Sequence, residues 1–126
     1  MYKRQVVYLA ATLERVSATA SFYGAQIATW CPGADQPTIN QTKTINQTKD
    51  IKGTIYTFFG TEDPLIPNQQ NAQIEAELKR HHIDHQVFRY QGATHHGFMC
   101  DYRDSYSPDV AKDSWKKVLD LFSQKL

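Results

Sequence analysis

With 126 residues, 40% of them apolar and 12% aromatic, the chain fits one globular domain with a core of its own and is short for two. The 14 basic and 13 acidic residues leave a formal charge of +1, so there is no electrostatic case for nucleic acid or a membrane surface as a partner. No run approaches the roughly 20 apolar residues of a membrane span, no signal peptide is visible, and two cysteines, Cys31 and Cys100, are too few for a disulfide framework; a reduced, cytoplasmic setting is expected.

The first five residues, MYKRQ, look like the translated end of a transposase recognition sequence used in preparing sequencing libraries, so 1–5 reads as a non-native, adapter-like segment. Residues 6–13, VVYLAATL, are apolar nearly all round and rich in helix formers, which predicts a buried helix or its second half, with no cap in front of it. Residues 16–23, VSATASFY, predict a buried strand ending at Gly24. A polar loop opens at Cys31-Pro-Gly and contains a perfect tandem hexad, TINQTK twice over, across 38–49. One duplication is far below what a solenoid needs, and the hexad offers no apolar face worth burying, so it reads as a slipped insertion in a surface loop or weak helix.

The run 54–59, TIYTFF, is of the β-branched and aromatic kind found in parallel sheets. Asn68 is a plausible cap for a helix carrying Ala72, Ile74, Ala76 and Leu78, with basic residues at its end. A polar connection at 81–85 leads into a strand at 85–90. Ser107 and Pro108 open a last helix, with Asp109 well placed on its dipole and Val110, Ser114, Trp115, Val118, Leu119 and Phe122 on one stripe. Helix, strand, strand, helix, strand, helix is βα alternation: an α/β fold with a mostly parallel sheet and flanking helices.

Two loops behind strands carry the chemistry. In FFGTEDPLIP, Asp63 projects from a turn that Pro64 and Pro67 stiffen, with Glu62 as a lesser rival. In YQGATHHGFMCD, His95 and His96 sit side by side, and an imidazole can take and return a proton near neutrality. Either histidine could face Asp63 at the C-terminal edge of the sheet. An acid and then a base, each behind a strand, form the second half of a Ser/Cys…Asp…His order. No G-x-S-x-G or G-x-C-x-G occurs in the chain, so no nucleophile is assigned. Cys31 and Cys100 lack the strand-turn-helix elbow that exposes one and read as bystanders. His81, His82 and His85 could be weighed as metal ligands, but they straddle a polar turn without paired cysteines, and neither a metal nor a cofactor is expected.

The ordered set FYG (22–24), FFGTEDPLIP, YQGATHHGF, Tyr106 and the terminal AKDSWKKVLDLF resembles the C-terminal half of the dienelactone hydrolase family, over nearly the whole chain from Val6 onward. The resemblance implies an α/β-hydrolase fold and a Cys(Ser)-His-Asp triad that hydrolyses lactones and esters. It makes 6–126 a partial domain lacking the nucleophile half, from a monomeric parent enzyme acting on a small-molecule ester or lactone. Asp63 would be the triad acid. The histidine loop carries one residue more than the family pattern: counting back from Gly97-Phe98 selects His96 as base, and counting forward from Ala93 selects His95. His96 is preferred, because the small residue after it governs how it packs. Other α/β-hydrolases, such as prolyl-oligopeptidase-type peptidases, share such loops, and a non-catalytic α/β binding module or a metal-binding domain using the five histidines are further readings.

Overall fold

The computed structural model describes residues 3–25, 27–28, 44–92 and 95–126. Its elements are α1 (Lys3–Ala10), β1 (Ala18–Phe22), a 3-10 helix (Thr44–Asp50), β2 (Thr54–Gly60), α2 (Asn68–Arg80), β3 (His85–Tyr90) and α3 (Pro108–Lys125). The strands pair in the order β1-β2-β3, both pairs parallel, so the expected α/β class holds. Among the described residues no helix is long and apolar enough to cross a membrane.

Alternation along β2 divides the interior in two. Ile55 and Phe59 join Tyr8, Ile45, Ile74 and Leu78 from α1, the 3-10 helix and α2, with Ala11 just behind α1. Phe58 joins Phe98, Val118, Val110 and Phe122 on the side of α3. With both faces covered, β2 reads as a continuous apolar run rather than an alternating one. Parallel register sets Phe22, Phe58 and Phe88 in one row across the sheet. Their rings stack at 4.4 Å and 5.0 Å between centroids. Phe98 meets this row edge-on, 6.2 Å from Phe22, a geometry worth about 0.5–1.5 kcal/mol beyond burial.

Helix α1 starts and stops earlier than the predicted 6–13. Its last turn tightens as Thr12 and Leu13 donate to Leu9 and Ala10, while the Thr12 hydroxyl also takes the Leu9 carbonyl. Tyr8 and, just past its end, Ala11 face the core, whereas Val7 and Leu13 are exposed, so the apolar run is not a buried helix.

The second hexad corrects the expectation of a segment with nothing to bury. It forms the 3-10 helix, and Ile45 and Thr48, three residues apart and therefore on one side of such a helix, are both buried. The Thr48 hydroxyl donates to the Ile45 carbonyl at 2.6 Å, so the Tyr8 hydroxyl donates to Thr48 Oγ1, also at 2.6 Å. The first hexad copy and Cys31 lie outside the described residues.

Burial pushes the Tyr8 phenol up to about 12, because the phenolate would be desolvated. The folded value lies above the unfolded one of roughly 10. Tyr8 therefore leaves stability intact below about pH 10 and drains it as pH climbs toward 12, by roughly 2–3 kcal/mol. Tyr8→Phe is expected to cost about 1 kcal/mol at pH 7 and to flatten the alkaline loss. Urea melts at pH 7 and pH 11 would measure both effects.

Pro67, not Asn68, occupies the cap position of α2, and Asn71, Ile74 and Leu78 face inward while Ala72 and Ala76 are exposed. At the other end, His82 N–H donates to Lys79 O and Ile83 N–H to Leu78 O, a Schellman stop with His82 at φ 54. His81 bonds Glu77 at 3.2 Å and His85 Nδ1 donates to Ile83 O at 2.6 Å, so the histidine cluster ends a helix. Among the described residues no three His, Cys, Asp or Glu side chains converge on a metal-sized site. His82→Gly should raise stability by about 0.5–1 kcal/mol, since glycine takes a positive φ without steric cost. A thermal melt of the variant checks this.

Helix α3 begins as predicted at Ser107-Pro108, but its stripe is displaced. Ala111, Ser114, Val118 and Leu121 are buried, whereas Trp115 and Leu119 are 51% and 52% exposed. Val110, Val118 and Phe122 pack with Phe58 and Phe88 of the sheet, and that contact sets the rotation of the helix.

Candidate active site

Strands β2 and β3 are parallel neighbours, so the loops behind them leave the same edge of the sheet. Thr61 stitches them where they start: its N–H donates to Tyr90 O at 2.9 Å and its hydroxyl to the same oxygen at 3.2 Å. The acid loop then turns back on itself, with Asp63 N–H on Gly60 O and Ile66 N–H on Asp63 O.

Asp63 is buried, 4% exposed, and both carboxylate oxygens are taken. Oδ1 accepts the Leu65 N–H at 2.8 Å, and Oδ2 lies 2.7 Å from His96 Nδ1. A carboxylate oxygen only accepts, so Nδ1 is the protonated nitrogen and the lone pair of the neutral ring is on Nε2. That Nε2 is buried and makes no hydrogen bond among the described residues. Glu62, the rival acid, is exposed and contributes its carbonyl instead.

The two histidines divide one task. His95, exposed, donates from Nδ1 to Glu62 O at 3.0 Å, while His96, 8% exposed, holds the Asp63 carboxylate. Gly97 explains why the second one turns inward. Its φ is +90, and a Cβ there would stand 3.0 Å from Arg103 Cδ, so the chain can bend sharply only at a glycine. Ser105 Oγ donates to His96 O at 2.8 Å, and Ser107 N–H donates to Phe98 O at 3.0 Å. Phe98, 0% exposed, anchors the loop from below. Cys100 is half-buried and gives its N–H to Gly97 O.

Further side chains support the acid loop and the histidine. Arg89 Nε donates to Asn71 Oδ1 at 2.9 Å, Asn71 Nδ2 to Asn68 Oδ1 at 3.2 Å, and Asn68 Nδ2 to Thr61 O at 3.3 Å. This chain of bonds runs from β3 through the start of α2 to the root of the acid loop. The Arg89 guanidinium also holds the Glu75 carboxyl below its usual range through a 2.6 Å bond. The only hint in the sequence was a pair of asparagines three apart on a helix. Tyr23, directly behind β1, has φ 37 and lays its ring 4.9 Å from the His96 ring. Its signal was the FYG set itself, an aromatic followed by glycine at a strand end.

The chain is similar to known proteins over most of its length. A profile of the dienelactone hydrolase family matches residues 4–126. A Synechocystis sp. protein named "Putative carboxymethylenebutenolidase" is 48% identical over 121 residues, which is 96% of this chain and 46% of that protein. The chain thus spans about half the length of that curated relative. Among solved structures, a Klebsiella pneumoniae protein named "Putative Dienelactone Hydrolase" superposes with a TM-score of 0.79 at 22% identity, over 94% of this chain and 47% of that one. The Pyrococcus horikoshii acylaminoacyl peptidase superposes at 0.73 with 19% identity, over 99% of this chain and 23% of that one. Likeness at such identity speaks for the α/β-hydrolase fold, which enzymes of several activities share. The family profile and the 48% relative are more specific: the chain belongs to the dienelactone hydrolase family.

Proposed function

We propose that this chain carries the acid and base of a Cys(Ser)-His-Asp triad that hydrolyses a small carboxylic ester or lactone, with the nucleophile supplied from the part of its relatives' length that it does not span. The supporting observation is the 2.7 Å bond from His96 Nδ1 to Asp63 Oδ2, which leaves a buried Nε2 lone pair as base. In that role His96 Nε2 takes the proton of a thiol or hydroxyl as it attacks the ester carbonyl, and the tetrahedral adduct forms. The C–O bond to the leaving alcohol then breaks, and His96 returns the proton to that oxygen. Water, deprotonated by the same nitrogen, releases the acid from the acyl-enzyme. Asp63 stays ionised throughout and stabilises the imidazolium between transfers. His95 is the alternative base, and its Nδ1 is spent on the Glu62 carbonyl.

A test uses a chimera in which this chain replaces the matching segment of the Synechocystis relative. Saturable hydrolysis of p-nitrophenyl acetate is expected, sensitive to a thiol or serine reagent and lost in His96→Ala but kept in His95→Ala. The 126-residue chain alone should not exceed free imidazole. A folded chimera without turnover, or one indifferent to His96→Ala, would sink the reading.

A further inference from the structure

Tyr23 stands where a strand should simply stop. Its backbone has φ 37, a left-handed conformation that side chains other than glycine, asparagine and aspartate rarely adopt, although Gly24 follows directly. The conformation is held on both sides: Tyr23 N–H donates to Phe58 O at 2.8 Å, and Ala25 N–H donates to Tyr23 O at 2.8 Å. What it achieves is the direction of one ring. The Tyr23 ring lies 4.9 Å from the His96 imidazole at 55°, and 5.3 Å from Phe98, edge-on at 83°. Phe98 in turn anchors the loop that carries His96.

We infer that Tyr23 is a positioning residue: its ring closes one face of the His96 imidazole and keeps Nδ1 on Asp63 with Nε2 presented as base. The contact limits rotation of the imidazole about its own stem, which is the freedom that would carry Nδ1 off the carboxylate. It also keeps water from competing for Asp63 Oδ2, which is buried together with its partner (side chains 1% and 7% exposed). The role rests on His96 being the base, but the ordering of the ring can be read without turnover.

The Nδ1–H of His96 in the 126-residue chain, assigned by its loss in His96→Gln, is followed by proton and nitrogen NMR together with its exchange with solvent. Wild type and Tyr23→Phe are expected to show one tautomer and a downfield, protected Nδ1–H. Tyr23→Leu, which stays apolar without the ring, and Tyr23→Gly, which suits φ 37, should both exchange it roughly tenfold faster, the effect of losing one ring contact on a local opening. Unchanged protection in either variant overturns the role, and so does loss in Tyr23→Phe. If both variants fail to fold while Tyr23→Phe folds, the ring belongs to the core and the inference fails as well. An inactive chimera with an intact Nδ1–H signal counts against the hydrolase reading alone.

Discussion

Replacing Phe98 with alanine is expected to cost about 3–5 kcal/mol, a large part of the 5–15 kcal/mol that holds a domain together. The ring is fully buried and lies at the meeting point of three others: Phe22 at 6.2 Å, Tyr23 at 5.3 Å and Tyr90 at 5.7 Å. Those neighbours belong to β1, the turn behind it and β3, so collapse around the cavity would require strands to move. Phe98, with the half-buried Met99 beside it, also pins the loop between β3 and α3 from inside. The same substitution should therefore loosen His96, two residues away, and expose Nε2 to water. Urea denaturation measures the first effect and imidazole exchange the second. Trp115→Ala is the matched control, since that larger ring is 51% exposed and should cost under about 1 kcal/mol. A Phe98 variant as stable as the Trp115 variant would show that the loop is held by its hydrogen bonds alone.

That contrast between two aromatics marks where the sequence was legible. The strands were found because their signal is local: TIYTFF and HQVFRY are short β-rich runs, and β2 and β3 follow them within one residue. The pairing of Asp63 with a neighbouring histidine was also legible, because post-strand loops of parallel neighbours must open on the same edge. The choice between His95 and His96 turned on Gly97, and the positive φ there is a physical reason for preferring the residue before it. Helix rotation was less legible. Trp115 and Leu119 look like core by composition, yet the phase of α3 is set by which of its residues meet the sheet-side cluster, Val110, Val118 and Phe122, and that is decided in three dimensions. The hexad misled for a similar reason. Ile45 and Thr48 are the inward residues of a 3-10 helix, and a scan at α-helical period does not pair positions three apart so strictly. The Arg89–Asn71–Asn68–Thr61 bonds were beyond reach, since they join three elements, β3, α2 and the acid loop, and a pair of asparagines three apart was their only local sign.

Asp63→Asn in the chimera is expected to lower kcat by about ten-thousand-fold with little change in KM, through the tautomer of His96 rather than through lost structure. The two carboxylate oxygens make the outcome specific. Oδ1 takes the Leu65 N–H and Oδ2 takes His96 Nδ1–H, so an amide can satisfy one donor and must present its NH2 to the other. The Leu65 N–H is part of the backbone and cannot change, whereas an imidazole can move its proton. Asparagine therefore points its oxygen at Leu65 and its nitrogen at His96, and the ring answers by protonating Nε2. The base is then gone while the fold, the hydrogen-bond count and the buried volume are nearly unchanged. Stability should fall by about 1–2 kcal/mol, the share of charge-assisted bonding lost. Nitrogen NMR of the 126-residue variant would show the proton moved from Nδ1 to Nε2. Asp63→Ala separates the causes: it frees both donors and should cost more stability, yet it leaves the ring able to adopt either tautomer and so should retain more activity than the asparagine variant. The reverse ranking in activity would place the effect in loop integrity instead of proton position.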